Sequence, residues 1–233
     1  MSCMTSLCAN TPNASPLENA YHGGKDGIII NANFDSGNIL VEKVEVSFNM
    51  CDNKVNDIVS LRLRKEPFTE GTDKRCHAQW FYFRSSQVKD RLVWYRIVNA
   101  GESSYPTGWK NYKTCASYDG ETWFRIEHTW YDETNGSLEW KHYNCTQDTV
   151  WFAYFAPYTY ERHQKLIAQS AMSPLCSLRV LGLTLDLRPI DYLKCGTGPK
   201  NIWVNARVHP GESMAEWFMD CLLYTSDAAD DDH

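Results

Sequence analysis

The sequence predicts an all-β domain followed by the opening of an α/β domain. Three observations carry this. Apolar residues alternate with polar ones in several runs between Ile28 and Phe155, the period-2 pattern of strands with one face buried. Two turn dipeptides, Asp119-Gly120 and Asn135-Gly136, stand between such runs. Beyond Pro157 the pattern changes to helical and short apolar segments, ending in a strand, a tight turn and a capped amphipathic helix.

Residues 1–24 are rich in Ser, Asn, Pro and Gly and show no period, so they read as a disordered leader. The β domain is placed at 25–155. Its clearest strand sets are Val44, Val46 and Phe48; Leu61 and Leu63, set off by Arg62 and Arg64; and Val93, Tyr95 and Ile97. Both turn dipeptides tolerate the positive φ angles of a type I′ hairpin turn. Successive strands without an intervening helix make this an antiparallel sandwich or barrel.

The second domain is placed at 156–223. TYERHQKLIAQSAM has helical composition, with Thr159 as N-cap and Ser173-Pro174 as its stop. SLRVLGLTLD and PIDYLKC are short apolar runs broken by turn residues. NIWVNARV reads as a strand through Ile202, Val204, Ala206 and Val208. After the turn His209-Pro210-Gly211-Glu212, Ser213 and Glu216 have capping-box spacing. Met214, Trp217, Phe218, Cys221 and Leu222 then make one apolar stripe. Residues 224–233, acidic and without a stripe, read as a non-native or disordered tail, and the domain as truncated there.

A net charge of −6 argues against nucleic-acid backbone binding, which needs a basic field. No stretch approaches the ~20 apolar residues of a membrane span. No basic start leads into an apolar run, so no signal peptide is evident. Nine cysteines, an odd number with no CxxC pair, fit buried reduced thiols in a cytoplasmic protein. The sequons at Asn13, Asn135 and Asn144 are then chance matches.

The chemistry concentrates at His209 and Glu212. His supplies a neutral nitrogen and Glu a carboxylate, a mixed donor set that suits zinc. Pro210 and Gly211 turn the chain sharply between them, at the strand end where α/β proteins usually build sites. A catalytic zinc commonly takes three protein ligands and leaves a fourth position open. The spacing alone also fits a surface turn in which His209 pairs with Glu212.

NIWVNARVHPGESMAEWFMDCLL resembles the zinc motif of the cytosolic carboxypeptidases, the M14 branch that includes tubulin deglutamylases. NFDSGNI, QWFYFR, YRIVNAGESSYPTGWKNYKTCASYDGETWFRI and FAYFAPYTYERHQKLI are similar to that branch's N-terminal domain. The resemblance spans about residues 30–223. It implies a β-sandwich N-terminal domain followed by the truncated start of an α/β metallocarboxypeptidase domain. It also implies His209 and Glu212 as the first two Zn2+ ligands. The implied activity is hydrolysis of C-terminal residues, glutamates above all, from acidic or polyglutamylated, tubulin-like protein tails. The family's second histidine ligand, carboxylate-binding arginines and general-base glutamate have no counterpart here, and His233 lacks the context to be one. No catalytic residue is assigned, and the chain alone is expected to be inactive.

Other residues carry plainer readings. His163 reads as part of a solvated helix face. Trp80, Trp94, Trp109, Trp123, Trp130 and Trp140 read as core and edge packing. Cys221 reads as a small buried hydrophobe. GTGPK lacks the ending of a phosphate loop. NAGESSYPTGW is either a structural corner or a loop facing the second domain. The rival function is a non-catalytic β-sandwich module binding protein tails or glycans.

Overall fold

A computed structural model describes residues 19–24, 27–49, 54–66, 77–143 and 145–230. The chain divides into two units, Met1–Ala156 and Pro157–His233. Residues 1–18 of the expected leader, Asn13, Asn144 and the last three residues of the expected tail lie outside the described residues.

In the first unit the strands are β1 (Ala20–His22), β2 (Ile29–Asn31), β3 (Leu40–Asn49), β4 (Lys54–Arg62), β5 (Tyr82–Ser86), β6 (Leu92–Ile97), β7 (Cys115–Ser117), β8 (Phe124–Arg125), β9 (Thr129–Asp132), β10 (Ser137–His142) and β11 (Thr149–Ala153). One sheet runs β1-β2-β5-β11-β7-β8, every pair antiparallel. The other runs β3-β4-β6-β10-β9. In it β4 and β6 are parallel, which corrects the expectation of a purely antiparallel domain. Between them the chain leaves to form β5 in the other sheet, so it re-enters in its original direction. Alternation reports which face is buried and says nothing of a partner's direction.

Both sheets feed one core. Ile30, Phe83, Ala116 and Phe152 come from the first sheet, and Val59, Leu61, Tyr95, Ile97, Leu138 and Trp140 from the second. Trp140 stacks on Tyr95 at 5.4 Å and on Phe81 at 5.9 Å. The buried Tyr95 hydroxyl donates to Ser85 Oγ at 2.8 Å, tying β6 to β5. Burial holds that phenol far above its usual range, so it stays a neutral donor.

Val93, Tyr95 and Ile97 are buried as their alternation predicts. Val46 is not, at 65 % exposure, although Val44, two positions earlier on the same face, packs against the core. β1 pairs with β2, so residues 20–22 belong to a sheet rather than to a disordered leader.

The turn dipeptides mark hairpins of a different build from type I′. β7 and β8 are joined by a loop in which Gly120 alone takes positive φ (77°), while Asp119 Oδ1 accepts from the amides of Glu121 and Thr122. β9 and β10 are joined through Gly136 (φ 64°), with Asp132 Oδ1 accepting from Thr134 and Asn135. Aspartate side chains hold turns of this kind by mimicking a backbone acceptor.

NAGESSYPTGW is a structural corner. Asn99 accepts from Leu63 N at 2.8 Å and donates to Leu63 O at 3.1 Å. Two 3-10 turns follow, Ala100–Glu102 and Pro106–Trp109, and the buried Trp109 indole donates to Ala100 O and Ser103 Oγ. On the outer face of the second sheet, Trp94 and Trp130 lie 6.0 Å apart. Arg96 and Lys141 sit over the Trp94 ring, cation–π contacts that the unit makes within itself.

The second unit contains α1 (Tyr160–Ser170), β12 (Cys176–Leu183), β13 (Pro189–Cys195) and α2 (Met214–Asp230). Thr159 caps α1 by accepting from Arg162 N. β12 and β13 form a two-stranded hairpin. Residues 201–208, expected as a strand, form none. No described strand pairs with them, and a period-2 pattern without a ladder partner leaves its side chains in water: Ile202 is 86 % and Val208 73 % exposed. α2 continues to Asp230, past the expected break at Leu223; Ala228 and Ala229, strong helix formers, carry it through the acidic stretch. Its stripe is only partly covered, with Met214, Phe218 and Cys221 exposed. Cys221 is therefore not the buried hydrophobe expected.

Trp140→Ala should lower unfolding free energy by roughly 3–5 kcal/mol, the usual cost of emptying a large aromatic site. Val46→Ala, at an exposed position, should stay within about 0.5 kcal/mol. Urea unfolding followed by tryptophan fluorescence and far-UV circular dichroism measures both.

Candidate metal centre

His209 and Glu212 occupy one turn, closed by a bond from Glu212 N to His209 O of 3.0 Å. Both residues are exposed. Neither side chain is hydrogen-bonded or ion-paired to another described group, so the bland pairing of His209 with Glu212 does not form. Each thus keeps its donor atoms open. Chemically they fit part of a zinc ligand set, one neutral nitrogen and one carboxylate. Among the described residues, no three His, Cys, Asp or Glu side chains gather to hold a metal ion.

The turn is held from beneath by Arg207. Its φ of 51° lies in the left-handed region, which costs a non-glycine residue roughly 1–3 kcal/mol and persists only where surroundings enforce it. The enforcing contacts are on its guanidinium. Nε donates to Pro210 O at 2.9 Å inside the turn. Nη1 donates to Tyr158 O at 2.7 Å and to the Glu216 carboxylate on α2. A planar fork with several donors can serve three acceptors at once.

From Glu216 the network continues. Glu216 Oε1 lies 3.3 Å from His163 Nδ1, and His163 Nε2 lies 3.2 Å from Asp191 Oδ2 on β13. Both ring nitrogens face carboxylates, and only the imidazolium can donate from both. The bond to Glu216 is the main reason the His163 pKa is raised; burial opposes it and Asp191 adds to it. For Glu216 burial is the largest single influence and pushes upward, yet His163 and Arg207 together bring it below its ordinary value. His163 therefore bridges two carboxylates, which favours its protonated form, and is not the solvated helix residue its local sequence suggests. The missed signal was long-range: its partners lie 28 and 53 residues away in sequence.

A neighbouring cluster packs α1 on α2. Arg162 lies 3.9 Å from the Trp217 ring centroid and 3.2 Å from Asp220, and Tyr158 meets Trp217 edge-on at 5.3 Å. Glu216, at the capping-box position, also meets Arg207 and His163.

Comparison with known proteins supplies the class. A metallo-carboxypeptidase structure from Burkholderia cenocepacia superposes with a TM-score of 0.70 at 34% identity, over 84% of this chain and 48% of that one. An uncharacterised protein of Zymomonas mobilis is 38% identical over 83% of this chain and 46% of its own length. Cytosolic carboxypeptidase 2 of Mus musculus is 31% identical over 84% of this chain and 24% of its own. The chain spans less than half the length of each. Such likeness defines an M14-like metallo-carboxypeptidase class. The family described as the cytosolic carboxypeptidase N-terminal domain matches residues 30–155, and the chain belongs to the cytosolic carboxypeptidase family.

Because the His163 pKa is raised on folding, its stabilisation is complete below the unfolded value and disappears as pH rises through the folded one. His163→Gln should therefore destabilise the second unit clearly near about pH 6 and by much less near about pH 9, given an unfolded histidine pKa of about 6.5. Thermal unfolding of both proteins across that range measures it; an equal loss at both ends would remove the imidazolium from the network.

Proposed function

We propose that this chain is the N-terminal part of a zinc-dependent carboxypeptidase that removes C-terminal residues, glutamates above all, from acidic protein tails in the cytoplasm. Polyglutamylated tails of the tubulin kind are the substrate class. The observation that carries the reading is the open His209–Glu212 turn, braced by Arg207, in a chain of this family. We read the first unit as a β-sandwich, on the strength of its two sheets and single shared core.

Within this reading His209 and Glu212 would hold zinc as two of its ligands. Zinc, when bound, supplies Lewis acidity and lowers the pKa of a coordinated water. Arg207 keeps the turn in its left-handed start, so the two donors do not have to be ordered at the moment of binding. The chain by itself is inactive in this proposal, since it contributes two ligands and neither a general base nor a carboxylate clamp is assigned in it.

The test is release of glutamate from a glutamate-tailed peptide by a protein that joins this chain to a catalytic region of the length its relatives have. The 233-residue chain should release none. In the longer protein, His209→Ala and Glu212→Ala should each lower kcat/KM by more than the roughly 10- to 100-fold typical of losing an outer partner of a metal ligand. Undiminished hydrolysis in those variants would remove the zinc assignment.

A further inference from the structure

Cys176 and Cys195 stand directly opposite one another at the open end of the β12–β13 hairpin. The neighbouring backbone bonds identify the kind of pair. Gly196 N donates to Leu175 O at 2.9 Å, whereas Cys176 N turns away to Ser173 O at 3.1 Å. In an antiparallel ladder this flanking bond marks a non-hydrogen-bonded pair, the site where facing Cα atoms lie about 4.5 Å apart and side chains come closest. That spacing falls within the roughly 4.4–6.8 Å that a disulfide tolerates. The two sulfurs are 2.9 Å apart, both as thiols.

Access distinguishes this pair from Cys115 and Cys145; Cys221 is exposed as well, and the ladder position opposite a second cysteine belongs to Cys176 and Cys195. Cys115 and Cys145 are buried, and burial pushes both thiols up, which makes them poor nucleophiles. Cys195 is exposed and Cys176 half-buried. Both border a cleft of the second unit lined also by Gln169, Ser170 and Asp220. Core packing does not account for a cysteine in water facing another across a ladder.

We propose that Cys176 and Cys195 form a dithiol modification site that reacts with a low-molecular-weight disulfide of the glutathione class and closes to a cross-strand disulfide. The Cys195 thiolate, the more accessible, attacks one sulfur of oxidised glutathione. The glutathione S–S bond breaks, one glutathione leaves as its thiolate, and a mixed disulfide remains on Cys195. The Cys176 thiolate then attacks the Cys195 sulfur, and the second glutathione leaves. The two protein thiols lose two electrons and two protons; the glutathione disulfide takes them up as two thiols. The site is independent of the zinc turn.

The experiment treats the fully reduced 233-residue chain with oxidised glutathione, quenches with acid, alkylates the remaining thiols and maps cysteines by peptide mass spectrometry. The expected result is a Cys176–Cys195 cross-link that predominates over every other pairing and retains no glutathione. The same treatment in urea should scatter the pairings, Cys221 included. Cys176→Ser should retain glutathione stably at Cys195. Recovery of both cysteines as separately alkylated thiols, or an unchanged pairing pattern in urea, would overturn the proposal.

Discussion

One guanidinium organises the second unit around the candidate centre. Arg207 starts the His209–Glu212 turn in a backbone conformation that is unfavourable for its own residue type, and its donors reach the turn, Tyr158 two residues ahead of α1 and the first turn of α2. Lysine could not replace it, because a point charge lacks the fork that serves separated acceptors. Its charge is also part of a balanced set. With His163 protonated, Arg207 and the imidazolium oppose Glu216 and Asp191, and the four charges sum to zero. Breaking one partner of such a set exposes the others to an uncompensated desolvation cost.

The first unit rests on different physics. Its two sheets meet through stacked and tilted aromatic rings, with Trp140 between Tyr95 and Phe81, and one buried hydroxyl pair, Tyr95 to Ser85, ties them at a defined register. The corner at Asn99 completes the β4 end by substituting a side-chain amide for a strand neighbour. The family match, residues 30–155, ends one residue before the unit boundary at Ala156.

What could be read from the sequence followed from local pattern. The buried face of β6, the cap at Thr159 and the hairpin positions near Gly120 and Gly136 all depend on residues within a few positions of one another. What could not be read depended on partners far along the chain. The parallel pairing of β4 with β6 is set by where β5 goes, and no alternation encodes that. The segment 202–208 carried a strand's pattern, yet a strand exists only with a ladder beside it. At the candidate centre the His-x-x-Glu spacing was visible and its support was not. Arg207 looks like an ordinary polar position in an alternating run, and His163 like one more charge on a helix.

The wet apolar residues of the second unit have a thermodynamic consequence. Val180, Leu181, Leu183, Ile202 and Val208 are already largely in water in the folded chain, and hydration of apolar surface newly exposed on unfolding is what raises heat capacity. Melting of that unit therefore adds little to the heat-capacity step. The calorimetric signature of the whole chain belongs mainly to the aromatic-cored first unit, and stability curves fitted to it describe that unit.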